Sequence, residues 1–279
     1  MRDTLYIIGN GFDLHHGLPT SYASFRDYAN KRQSLSKWLN AIYGDAINNS
    51  EWWWQFEENL ANVDYTHLKN SLNGNGNAIG FMEVRNLLNN LPTFFESWLN
   101  RININIALDE SLDIDPNSLF FTFNYTLLLE RIYKVSTSNV WHIHNSLLDK
   151  NEKLIVGHDS DLRELFKQFL KEKENHPTIT SGFADNVRQE LAAGAKNVKD
   201  RIYTNNELFE KYSDIKHYIA MGFSFNDIDM PYIEKIASVN KHSDTNWTLY
   251  CHSDNDSVFM KRQLLELNIS SENIEIINW

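Results

Sequence analysis

Apolar residues along this chain fall into two rhythms. Short, nearly unbroken apolar runs end abruptly in Gly, Asn, His or Ser, and between them lie longer stretches in which apolar positions recur every three or four residues. The first rhythm predicts strands at Leu5–Ile8, Ser118–Asn124, Asn139–His144, Lys153–Gly157, His217–Gly222, Trp247–Cys251 and Ile274–Ile277. The second predicts helices through Tyr22, Phe25, Tyr28 and Ala29, through Leu35, Trp38, Leu39 and Ile42, through residues 127–132, 161–173 and 185–212, at Pro231–Ala237 and at Val258–Leu267. Thr20 or Ser21 is placed to cap the first of these.

Residues 51–106 show helical spacing and no strand, with a flexible Asn73–Asn77 turn inside them. The Trp52, Trp53 and Trp54 run sits at helical spacing and reads as core rather than as a stacking platform. Strands alternating with helices imply an α/β protein with a doubly wound, mostly parallel, Rossmann-like sheet. The expected organisation is a single α/β domain over residues 1–279, with a helical insertion or lid over about 30–115 and a second, mainly helical segment over about 161–212.

The glycines after the first strand add chemistry to this frame. An apolar strand that breaks into Gly9, Asn10, Gly11, Phe12 and Asp13 is the start of many nucleotide-binding sheets, since glycines let backbone approach a ligand and a following helix start offers unpaired N–H groups. The spacing is G-x-G-x5-G, which departs from the dehydrogenase form and leaves a nucleotide site of another kind. In open α/β sheets ligands bind beyond the carboxyl ends of strands. Four predicted strand ends carry polar clusters: Gly9–Asp13, Asn124–Thr126, His142–Ser146 and Gly222–Asp227. His142 and His144, two apart on a predicted strand, share a face, which suits a catalytic pair, a metal pair or two satisfied buried rings.

Composition narrows the classes. The 279 residues are 42% hydrophobic with eight Trp, twelve Tyr and sixteen Phe, enough for a substantial core. A formal charge of −11 argues against sequence-independent nucleic-acid or anionic-membrane binding, and no apolar run reaches the ~18 residues of a membrane span. The single cysteine, Cys251, leaves no intramolecular disulfide framework and, in a predicted strand, reads as a core thiol of a cytoplasmic protein.

Several ordered motifs carry a resemblance. Tyr6–Tyr22, the Phe-Thr-Phe-Asn-Tyr-Thr block with its leucines at 121–129, the His-x-His block at 142–144, Ile155–Asp159 and Gly222–Tyr232 together resemble the AbiH family of bacterial phage abortive-infection proteins over nearly the full length. More remotely, the same order is similar to the sirtuin-like NAD-binding fold. There Gly9, Gly11 and Pro19 resemble the cofactor loop, Asn124 and its neighbours the Thr-x-Asn block, His144 the catalytic histidine, and Gly222 with Ser224 the third cofactor motif.

The resemblance implies NAD as substrate or ligand, with Asn124 and His144 catalytic. Gly9, Asn10, Gly11, Phe12, Asp13, Pro19, His142, Gly222, Ser224 and Asp227 would be cofactor-binding, and no metal would be held. It implies cleavage of the nicotinamide–ribose bond in a phage-defence setting, with a protein trigger or homo-oligomer as partner. A non-catalytic nucleotide sensor or interaction protein is the alternative, and a metal-dependent phosphoesterase or nuclease using His142, His144, His158 and Asp159 is the third reading. Two positions depart from the wider pattern: Asn145 stands where Gly usually follows the histidine, and Thr126 where sirtuins have Asp.

Overall fold

The computed structural model describes residues 3–71, 76–105, 112–148, 151–159, 162–175 and 181–279. Its sheet contains β1 (Thr4–Ile8), β2 (Leu119–Thr122), β3 (Val140–His142), β4 (His217–Met221), β5 (Asn246–Cys251) and β6 (Ile274–Asn278). All neighbours pair in parallel, in the spatial order β3-β2-β1-β4-β5-β6. This is the Rossmann-like α/β arrangement that the alternation of runs predicts.

Strand β1 lies at the centre because four of its five residues are buried, and a strand covered on both faces reads as a continuous apolar run. Successive side chains alternate between two cores. Leu5 and Ile7 join Phe121, Tyr218, Ala220, Phe209, Tyr232 and Leu249. Tyr6 and Ile8 join Phe12, Leu18, Phe120, Leu128 and Met221. Cys251 is the core thiol expected from its strand, 1% exposed.

The described chain divides into two compact units. One comprises residues 1–20, 99–152 and 197–279 and carries the sheet; the other comprises 21–98 and 153–196. The second unit is helical, with Tyr22–Ala29, Gln33–Tyr43, Gly76–Leu99, Leu162–Asn175 and Ser181–Ala193 as its longest helices. Ser21 is the cap of the first, its hydroxyl accepting the Ser24 N–H at 3.2 Å. Phe25, Trp53, Phe56, Phe95 and Trp98 form an aromatic core there, with Trp53 stacked on Phe56 at 5.3 Å. Trp52 and Trp53 are buried as their spacing predicts, while Trp54 is 72% exposed.

Three expectations need correction. Lys153–Gly157 forms no strand. It belongs to the helical unit, where Leu154 and Val156 are buried without a neighbouring strand, among the described residues, to complete a ladder. The helix expected over 185–212 breaks where Asn197 adopts a left-handed conformation, so that Ser181–Ala193 and Val198–Thr204 are separate helices. Strand β3 ends at His142, so His144 lies in the turn beyond it rather than one pleat along the same face. The Asn73–Asn77 turn falls largely outside the described residues.

Candidate functional site

The strand order reverses beside β1, whose neighbours are β2 and β4, and the carboxyl ends of these strands meet at one edge of the sheet. In register, Ile8 lies beside Thr122 and Met221, and Thr122 lies beside His142. The segments that leave these four strands therefore start side by side.

The β1 and β4 exits approach each other closely. The Gly9 N–H donates to the Met221 carbonyl at 3.0 Å and the Gly11 N–H to the Gly222 carbonyl at 2.9 Å. A Cβ on Gly9 would lie 2.4 Å from the Gly222 oxygen. These glycines thus serve contact between two stretches of the chain's own backbone, and their N–H groups, expected to face a phosphate, are engaged by carbonyls. Asn10 begins the short Asn10–His15 helix, and its side-chain amide donates to the Thr20 carbonyl at 3.1 Å, closing the loop. Phe12 is fully buried, whereas Pro19 is exposed.

Asp13 is the centre of the cluster. It is 1% exposed, and two side chains from the β2 exit donate to it. The Asn124 amide reaches Asp13 Oδ1 at 3.0 Å and the Gly9 carbonyl at 3.1 Å; the Thr126 hydroxyl reaches Asp13 Oδ2 at 2.7 Å. Burial pushes the Asp13 carboxyl up to about 7, against the lowering effects of Thr126, Asn124 and the His142 charge. Thr126 answers one of the two departures from the wider pattern. A hydroxyl donates to a carboxylate and accepts from a carboxylic acid, so it suits Asp13 in either state, where a second carboxylate would repel it.

His142 is locked between two acceptors, with Nδ1 2.7 Å from the Asn124 carbonyl and Nε2 2.8 Å from Glu130 Oε1. It thereby holds the Asn124 backbone in place. His144 is 2% exposed, packed beside Phe123, Tyr125 and Tyr232, with Nε2 3.9 Å from Asp229 Oδ1. The two rings have different partners, which removes the shared-face argument for a metal pair. Among the described residues no group of three or more His, Cys, Asp or Glu side chains is arranged to hold a metal. His158 belongs to the helical unit, where its Nε2 lies 3.1 Å from the Leu191 carbonyl and burial lowers its pKa to about 4.

The structure therefore joins Gly9, Asp13, Asn124 and His142 by hydrogen bonds and sets Gly11 against Gly222. Ser224 and Asp227 are exposed on the β4 exit. Sequence reasoning missed Glu130 and Asp229. Glu130 stood in the leucine-rich run after β2, and Asp229 two residues after Asp227; only their distances from the histidines distinguish them from surface carboxylates. Unusual backbone concentrates here: Gly222, Phe225 and Asn145 have φ of 62°, 55° and 62°.

Asn145 occupies a left-handed turn, the conformation glycine adopts most easily and asparagine tolerates. Asn145→Gly is expected to change stability by less than about 1 kcal/mol, whereas Asn145→Val costs about 2 kcal/mol more because a β-branched residue resists positive φ. Denaturant midpoints of the two variants check this, and equal losses would overturn it.

With the geometry established, a family model described as Bacteriophage abortive infection AbiH matches residues 5–251. No curated protein matches the chain.

Proposed function

Because this chain belongs to the AbiH family of bacteriophage abortive-infection proteins, we propose that it contributes to that defence by binding NAD or a related nucleotide at the carboxyl edge of its sheet and hydrolysing the nicotinamide–ribose bond. One observation carries the reading. Asp13, Asn124 and Thr126, from the exits of two adjacent strands, are joined by hydrogen bonds where the strand order reverses, with His144 of the next exit buried nearby. Cleavage of an N-glycosidic bond develops positive charge at the ribose and transfers a water proton. His144, beside the Asp229 carboxylate, accepts that proton in this scheme. Asn124 meets the ribose hydroxyls or the water through its carbonyl oxygen, since both amide hydrogens are donated to Gly9 and Asp13. Asp13 positions Asn124.

A second reading is a pocket that senses a nucleotide without turning it over; it is favoured by the burial of His144, the group that would take the proton, which is only 2% exposed.

Purified protein is incubated with NAD+, alone and with extract of phage-infected cells, and released nicotinamide is quantified by chromatography. Turnover that falls by about 100-fold or more in His144→Ala supports hydrolysis. Intact NAD+ together with saturable calorimetric binding that Asn124→Ala weakens selects the sensor, and NAD+ that neither binds nor reacts removes the nucleotide reading.

A further inference from the structure

A groove edged by charged side chains lies wholly within the helical unit and is independent of the sheet-edge reading. Arg163, Phe166 and Lys167 share one face of the Leu162–Asn175 helix, and Asp185, Arg188 and Gln189 share one face of the Ser181–Ala193 helix, each set at three- and four-residue spacing. Together they line a groove of about 580 Å³. Three cations face one carboxylate there, in a chain whose formal charge is −11.

Arg188 is the unusual member. It is 8% exposed, and its guanidinium lies 5.0 Å from the Phe166 ring centre and 4.7 Å from that of Phe169. One terminal nitrogen, Nη2, meets Asp185, whose side chain is half exposed; the other, Nη1, is buried and has no hydrogen-bond partner. A buried guanidinium nitrogen without an acceptor is costly, and the ring contacts hold the planar fork in a fixed orientation. An arginine fixed in this way, with one terminal nitrogen lacking an acceptor and two further cations beside it, is suited to a phosphate. Phe166, 45% exposed, offers an aromatic surface beside it, and the volume is that of a small-molecule site rather than of a protein interface.

We propose that this groove binds a nucleotide carrying two or more phosphates, with the phosphates on Arg188, Arg163 and Lys167 and the base against Phe166. Binding weakens as salt is raised, because Arg163 and Lys167 are open to solvent.

The full chain is titrated with ATP, tripolyphosphate and adenosine by calorimetry. The expected result is saturable ATP binding, weakened roughly tenfold or more in the Arg163→Gln, Lys167→Gln double variant, with no binding of adenosine. Phe166→Ala weakens ATP but leaves tripolyphosphate unchanged. Both sets of changes fall on exposed side chains, so circular dichroism and thermal midpoints should match the parent. ATP binding that is insensitive to the double variant, or absent, overturns the site. Equal affinities for ATP and tripolyphosphate, with Phe166→Ala silent, overturn the assignment of a nucleotide.

Discussion

Gly222→Ala is expected to destabilise the protein by about 3–5 kcal/mol, enough to remove most of the margin of an ordinary domain. Gly222 has φ of +62°, and a Cβ there would lie 2.0 Å from the Phe12 nitrogen and 2.3 Å from the Gly11 carbonyl carbon. Neither atom belongs to a flexible side chain that could move aside. Relief requires the β1 and β4 exits to separate, breaking the 2.9 Å bond from Gly11 to Gly222 and opening the cluster around Asp13. Gly17→Ala supplies the control. Gly17 has φ of +71° but no atom within 4 Å of its Cβ position, so only dihedral strain of about 1–2 kcal/mol applies. Urea midpoints of the two variants separate the effects. Equal losses would show that backbone conformation, and not close approach, is what glycine provides at position 222.

The second large effect is a pH dependence that follows Asp13. Its carboxyl titrates at about 7 in the folded protein against 3.8 as the ordinary value, chiefly because burial disfavours the charged form. Between these values the folded state holds a proton that the unfolded state has lost. The stabilisation from this group is therefore complete below about pH 4 and declines as pH rises to about 7. The slope is about 1.4 kcal/mol per pH unit for one proton, or about 4 kcal/mol over the window.

Asp13→Asn keeps the shape and removes the titration. Its carbonyl still accepts from Asn124, and its amide donates to Thr126 once that hydroxyl turns to accept. The stability of the parent relative to Asp13→Asn should fall by about 4 kcal/mol as pH is raised from about 4 to about 7. Denaturation curves across that range measure the difference. Parallel profiles would mean that Asp13 is ionised throughout and that burial does not govern it.

Much of the architecture could be read from local pattern. Leu5–Ile8 is apolar on both faces and lies at the sheet centre; Leu119–Thr122 and His217–Met221, read in the same way, flank it. Trp52 and Trp53 were core by spacing and are core in the fold. Lys153–Gly157 shows the limit of such reading. Its composition matches a strand as well as Trp247–Cys251 does, but a strand needs a partner, and pattern along the chain carries no information about partners. His144 shows another limit, since a strand one or two residues shorter than expected changes where a side chain points.

The site was legible as a set of positions and not as a set of roles. Glycines at 9, 11 and 222 and polar residues at 13, 124, 142 and 144 were recognisable because residue types with special backbone or proton chemistry interrupt apolar runs at strand ends. That Gly11 faces Gly222 was not recognisable, nor that Thr126 complements Asp13, that Glu130 engages His142, or that Asp229 lies near His144, because these pairs are separated by 12 to 211 positions. The sequence by itself determined the α/β class, the strand ends that converge and the AbiH resemblance, all of which rest on local order and periodicity. Only the tertiary structure decided that the glycine turn closes on backbone and that Asp13 is held near neutrality, because contact and desolvation depend on which distant segments pack together.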